Sequence, residues 1–138
     1  MSLFTLHERL AADTSLVCEL PLSSCLLMHD ARYPWLILVP RLADLRDLHE
    51  VPAEHRLALF EEIDQVSRAL IKLYHAYKIN VAALGNQVPQ LHIHVIARQQ
   101  DDPAWPGPVW GEGTPIAYNQ ADLQERLNQL QIQLHSDQ

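Results

Sequence analysis

Basic residues are scarce in this chain of 138 residues: 10 lysines and arginines stand against 17 aspartates and glutamates, a formal charge of −7. A surface that neutralises duplex phosphates needs a basic excess, so binding to a nucleic acid duplex is excluded as the main role. Any smaller phosphate must be held by local dipoles, N–H groups and imidazole. No apolar run approaches the roughly 20 residues of a membrane span. Met1-Ser2-Leu3 is no basic leader, and His7, Glu8 and Arg9 soon interrupt the apolar pattern, so neither a signal peptide nor a membrane location is expected. The only cysteines, Cys18 and Cys25, lack the close C-x-x-C spacing. They read as small core hydrophobes in a reducing compartment, and the cytoplasm is the expected location. There is no internal repeat, low-complexity tract or linker, which leaves one domain over 1–138 with one core.

Hydrophobic periodicity supplies the elements. Leu3, Leu6 and Leu10 predict a short amphipathic helix over 3–12. Ser15–Leu20 and Ser24–His29 read as strands joined across Pro21-Leu22, which places the two cysteines on neighbouring strands. Trp35-Leu36-Ile37-Leu38-Val39 is a continuous apolar run stopped by Pro40, as a fully buried strand requires. From Pro52 to about Tyr77, the spacing of Phe60, Ile63, Val66, Leu70, Leu73 and Tyr77 predicts a long helix. Its polar face is expected to carry Glu61, Glu62, Asp64, Gln65, Arg68 and Lys72, with Asp64 and Arg68 spaced for a surface ion pair. Ile79–Leu84 predicts another strand. Asp101–Gly111, with three prolines and two glycines, excludes regular structure, yet Trp105 and Trp110 within it need something to pack on. A last helix opens at Asn119 or Gln120 with Leu123, Leu127, Leu130 and Leu134 on one face. This order predicts an α+β fold with an antiparallel sheet.

The most informative stretch is Gln90-Leu91-His92-Ile93-His94-Val95-Ile96-Ala97-Arg98. Its period of two predicts a half-buried strand with Leu91, Ile93 and Val95 toward a core and Gln90, His92 and His94 on the opposite face. Side chains two apart lie about 6–7 Å from each other along such a strand, close enough for two imidazoles to touch one small substrate. Before it, Gly85-Asn86-Gln87-Val88-Pro89 predicts a compact turn whose N–H groups can face an anion. H-x-H is also a metal-ligand spacing, but Arg98 and Gln99 stand where a carboxylate ligand is wanted, so no metal site is expected.

Residues 87–96 resemble the histidine-triad superfamily of nucleotide hydrolases and transferases, whose pattern is His-Φ-His-Φ-His-Φ-Φ (Φ apolar) preceded by a Gly-containing phosphate loop. The strand Trp35–Val39 ending in Pro40, the polar Asn80 and Trp105-Pro106 are similar to family features in matching order, so the likeness spans about 15–110. The resemblance implies a five-stranded antiparallel sheet with a long helix and terminal helices packed on it, and a homodimer. It implies that His92 is the nucleophile and that His94 contacts the scissile phosphate and the leaving-group oxygen. Gly85, Asn86, Gln87 and Val88 match the loop that holds the α-phosphate, and Asn80 a ribose- or phosphate-contacting position. Three positions depart from the pattern. Gln90 stands where the first triad histidine would be, and Trp35 and Ala43 stand where many members have histidines. Gln90 can donate or accept a hydrogen bond but cannot carry a proton charge near neutrality. The galactose-1-phosphate uridylyltransferases, which carry glutamine at the third position, indicate that one such exchange need not end catalysis.

Neutral imidazole is both nucleophile and leaving group, so the expected chemistry is nucleotidyl transfer at the α-phosphate in two displacements through a nucleotidyl-His92 intermediate. His94 is expected to be partly protonated at cellular pH. No cofactor is required, although a magnesium–nucleotide substrate is compatible. The alternative is a nucleotide-binding module with little turnover, marked by Gln90. Trp35 reads equally as nucleoside-pocket lining or as core. Arg32 and Arg98 read either as phosphate contacts or as ordinary loop and strand-end arginines.

Overall fold

Thr14–Glu19 (β1), Ser23–Met28 (β2) and Trp35–Pro40 (β3) pair as successive antiparallel strands, the first two across the expected Pro21-Leu22 turn; of these only β3, with Trp35, Ile37 and Val39, is rich in strong β-formers. The computed structural model describes residues 3–136, so residues 1–2 and 137–138 of the expected 1–138 span lie outside the described residues. The helix Ala53–Tyr74 (α2) then crosses the sheet, followed by Lys78–Ala82 (β4) and Ile93–Arg98 (β5). The sheet order is β1-β2-β3-β5-β4, antiparallel throughout, so β5 is inserted between β3 and β4 with Ile37 opposite His94 and Val81 opposite Val95. Short helix Glu8–Asp13 (α1) precedes the sheet and Gln120–Ser136 (α3) closes it. The five-stranded antiparallel sheet with packed helices is as expected.

One correction concerns β5. Its period of two suggests a half-buried strand, but all six of its residues are buried. Leu91, Ile93, Val95 and Ala97 join the core beneath α2 and α3, with Leu59, Val66, Leu70, Leu130 and Leu134. The opposite face carries a second apolar cluster that includes Leu10, Tyr33, Trp35, Ile37, Val88, Ile96 and Val109. His92 and His94 sit on that second face, at 7% and 6% exposure, so they are covered rather than displayed.

Three further expectations shift. The first helix spans Glu8–Asp13 and not 3–12; Leu3 is exposed, and the His7 ring caps the helix by accepting from the Arg9 N–H. α2 is rotated from the predicted face, because Leu59, Glu62, Val66, Ala69 and Leu70 are its buried residues while Phe60 is exposed. One oxygen of the buried Glu62 carboxylate accepts the Leu22 N–H at 2.7 Å. The helix stops at Tyr74, since His75 adopts a left-handed conformation (φ 53°), leaving Tyr77 beyond its end. The Asp64–Arg68 surface pair forms as expected, at 3.0 Å.

The irregular segment after β5 is fastened from within. Arg98, almost wholly buried, donates to both carboxylate oxygens of Asp102 (2.7 and 2.9 Å), to the Gly107 carbonyl (2.8 Å) and to Asn80 Oδ1 (2.8 Å). The Trp105 ring lies against its guanidinium and against Tyr77. Arg32 does the same work for the 112–116 segment, gripping both oxygens of Asp30 and the Glu112 carbonyl. Both arginines are thus engaged within the fold. Replacing Arg98 with methionine removes one partner of a buried pair and leaves Asp102 only its backbone N–H donors from Gln99, Ala104 and Trp105; a loss of about 3 kcal/mol is expected, read by chemical denaturation at pH 7.

Candidate active site

His92 precedes β5 by one residue and His94 is its second residue, so both rings stand on one face with centroids 4.9 Å apart. His92 Nδ1 lies 2.7 Å from the Gln90 carbonyl oxygen. A carbonyl only accepts, so Nδ1 carries the proton and Nε2 keeps a free electron pair. The neighbouring ring is set the opposite way. The Trp35 indole N–H donates to His94 Nδ1 at 2.9 Å, and an indole can only donate, so the neutral His94 carries its proton on Nε2. Two adjacent imidazoles thereby offer one nucleophilic nitrogen and one N–H donor.

Burial, and then the neighbouring His92, push the His94 pKa down to about 3. The expectation of a partly protonated His94 is therefore corrected: it is a neutral hydrogen-bond donor near pH 7. Trp110, from the proline-rich segment, covers the pair edge-on, 5.0 Å from His94 and 5.8 Å from Trp35. This is the packing partner that the segment's tryptophans demanded.

Both histidines open on a cavity of about 300 Å³. Gly85, Asn86, Gln87 and Val88 form one wall. Gly85 takes φ +74°, a left-handed conformation suited to glycine, and a Cβ on it would stand 3.4 Å from the Val88 carbonyl oxygen. The other walls are Leu10, Met28, Trp35, Ile37 and Trp110, with Arg9 and Asp13 of α1 as the charged members. Trp35 lines the cavity and belongs to the apolar cluster behind it.

Two expected site residues are placed differently. The Gln90 carboxamide is bound at both ends, accepting the His7 N–H and donating to the Thr5 carbonyl, each at 2.8 Å. Its main chain orients His92, while its side chain fastens the amino-terminal segment; it does not act as a third imidazole would. Asn80 is outside the cavity lining, its Oδ1 held by Arg98. Leu10, Met28 and Ile37 escape sequence reasoning because only the sheet register and the docking of α1 bring them to the histidines. Among the described residues, no group of three or more His, Cys, Asp or Glu side chains is arranged to hold a metal ion.

The comparisons with known proteins agree with this geometry. The family model described as HIT domain matches residues 9–101. A histidine triad protein from Marinobacter aquaeolei VT8 is 47% identical, with 98% of each chain covered and a TM-score of 0.94. One from Bradyrhizobium japonicum is 44% identical over 96% of this chain and 99% of its own, with a TM-score of 0.93. One from Sinorhizobium meliloti 1021 is 42% identical over 94% and 96%, with a TM-score of 0.91. No curated protein matches significantly. With the family pattern covering most of the chain and the paired histidines set on their strand beside the Gly85 loop, the chain belongs to the HIT, or histidine triad, family.

Proposed function

We propose that the protein is a nucleotidyl hydrolase or transferase acting at the α-phosphate of a nucleoside phosphate derivative, with His92 as nucleophile. The observation that carries this reading is the opposed tautomers of His92 and His94, fixed by the Gln90 carbonyl and the Trp35 indole. His92 Nε2 attacks the α-phosphorus; an N–P bond forms and the bond to the leaving group breaks, with its electron pair on the departing atom. His94 Nε2–H and the N–H groups of the 85–88 loop stabilise charge on the phosphoryl oxygens. Water or another acceptor then attacks the nucleotidyl-histidine, the N–P bond breaks, and Nε2 regains its electron pair. The acceptor's proton passes to solvent.

Family membership supports nucleotide binding, and the apolar walls beside the histidines suit a nucleoside. The chemistry needs no cofactor, and a magnesium–nucleotide complex fits the same scheme. We also propose a homodimer. Support comes from the family resemblance, from the outer edge of β4, which no other strand among the described residues pairs, and from exposed Phe60 and Val81. Among the described residues no helix is long and apolar enough to cross a membrane; a cytoplasmic location remains part of this proposal.

Three outcomes are expected. Mass spectrometry of intact wild-type protein mixed with adenosine and guanosine polyphosphates and phosphoramidates shows a nucleotidyl adduct that His92→Ala lacks, and this variant folds but turns over at least about a thousandfold more slowly. Nucleotide binding without adduct or turnover in the wild type would instead leave a binding module. Light scattering gives a mass near twice 15.8 kDa; a monomer mass defeats the dimer. The third concerns acid. Folded His94 stays neutral down to about 3, whereas the unfolded side chain takes a proton below about 6.5, so stability contributed by this site is lost as pH falls between those values. From pH 7 to pH 5 the wild type should lose about 2 kcal/mol more than His94→Gln in chemical denaturation; equal losses would refute the burial argument.

A further inference from the structure

His92 forms part of the wall of two cavities, not one. A second cavity of about 360 Å³ shares His92, Leu84 and Gly85 with the first and is bounded as well by the 46–49 segment after β3. A molecule whose reacting phosphorus sits at His92 has room in both directions. The two spaces differ chemically. The first is largely apolar, whereas the second presents Arg46, Asp47 and His49.

Arg46 decides what the second space suits. The chain has eight arginines. Arg32 and Arg98 are committed to buried carboxylates; Arg9, Arg41 and Arg68 are paired with acids; Arg56 binds backbone carbonyls and Arg126 the Tyr118 hydroxyl. Among the described residues, Arg46 is the arginine whose guanidinium makes no hydrogen bond or ion pair. The nearby Glu50 carboxylate is occupied by the backbone N–H groups of Arg46 and Asp47, which hold its pKa below the ordinary range. Asp47 is the one acid on the cavity wall itself.

We infer that this second cavity receives a phosphate-bearing leaving group, gripped by the Arg46 guanidinium with His49 beside it. Nucleoside polyphosphates and their diesters would then be preferred to phosphoramidates, whose leaving amine is uncharged. This rests on the proposed function. As the bond from His92 Nε2 to the α-phosphorus forms, the bridging P–O bond breaks with its electron pair on the departing phosphate, and the new charge ends facing Arg46. A guanidinium suits this task because its fork of donors matches two phosphate oxygens.

The test is calorimetric titration of wild type and Arg46→Gln with AMP and with α,β-methylene-ATP, in which the bond to be broken is replaced by carbon. In the wild type the methylene analogue should bind about tenfold more tightly than AMP, and Arg46→Gln should bring that ratio close to one. His49→Gln should reduce it in part. AMP binding with no advantage for the analogue, or an advantage that survives Arg46→Gln, overturns the inference while leaving the first cavity's assignment standing. Failure of both nucleotides to bind the wild type defeats the proposed function and this inference with it. Circular dichroism of Arg46→Gln, an exposed position, should match the wild type and so separate binding from folding.

Discussion

A neutral imidazole has one proton and two nitrogens to put it on, and in a buried site the neighbours choose. Here the choice for His94 is made by the Trp35 indole, which can donate and never accept. The geometry around the histidines depends on that bond. It requires Trp35 at the start of β3 and His94 near the start of β5, on the same face of adjacent strands, with Ile37 opposite His94 to set the register. Burial then keeps the ring neutral, and Trp110 covers it. An indole at this position thus fixes which nitrogen of His94 bears the proton without adding any charge of its own.

The same economy governs the ionic residues beneath the surface. The carboxylates of Glu62, Asp30 and Asp102 are each met by N–H donors, and Arg32 and Arg98 each bind an acid and a loop carbonyl. Buried ions contribute modest stability, yet breaking one partnership is costly. Their effect is to fix long irregular segments over the sheet without regular structure of their own. The cover on the second face, Trp110 included, is therefore held in place by guanidinium groups as well as by apolar contact.

The sequence made the order of elements along the chain, the fully buried β3, the last helix and the turn at 85–88 legible, because each depends on local periodicity or turn chemistry. Three things were not. The amphipathic reading of residues 3–12 ignored what Gln90 does to Thr5 and His7 across more than eighty positions. The rotation of α2 turned on Glu62, whose burial makes sense only once the Leu22 N–H is beside it. The half-buried reading of β5 mistook histidine for a surface residue, when Trp35, Trp110 and α1 cover that face. Asn80 and Gln90, carried over from the family pattern, were assigned by position; their side chains turned out to face Arg98 and the amino-terminal segment. Long-range partners decided every one of these cases, and a single sequence does not display them.

Gln90 divides its labour between main chain and side chain. The carbonyl holds the His92 ring, while the carboxamide pins the strand of residues just ahead of α1, the helix that supplies Leu10, Arg9 and Asp13 to the cavity. In mechanical terms, the His92 ring and the far wall of the cavity hang from one rivet. A disturbance of the amino-terminal segment is thereby transmitted to the His92 ring through a single residue, Gln90.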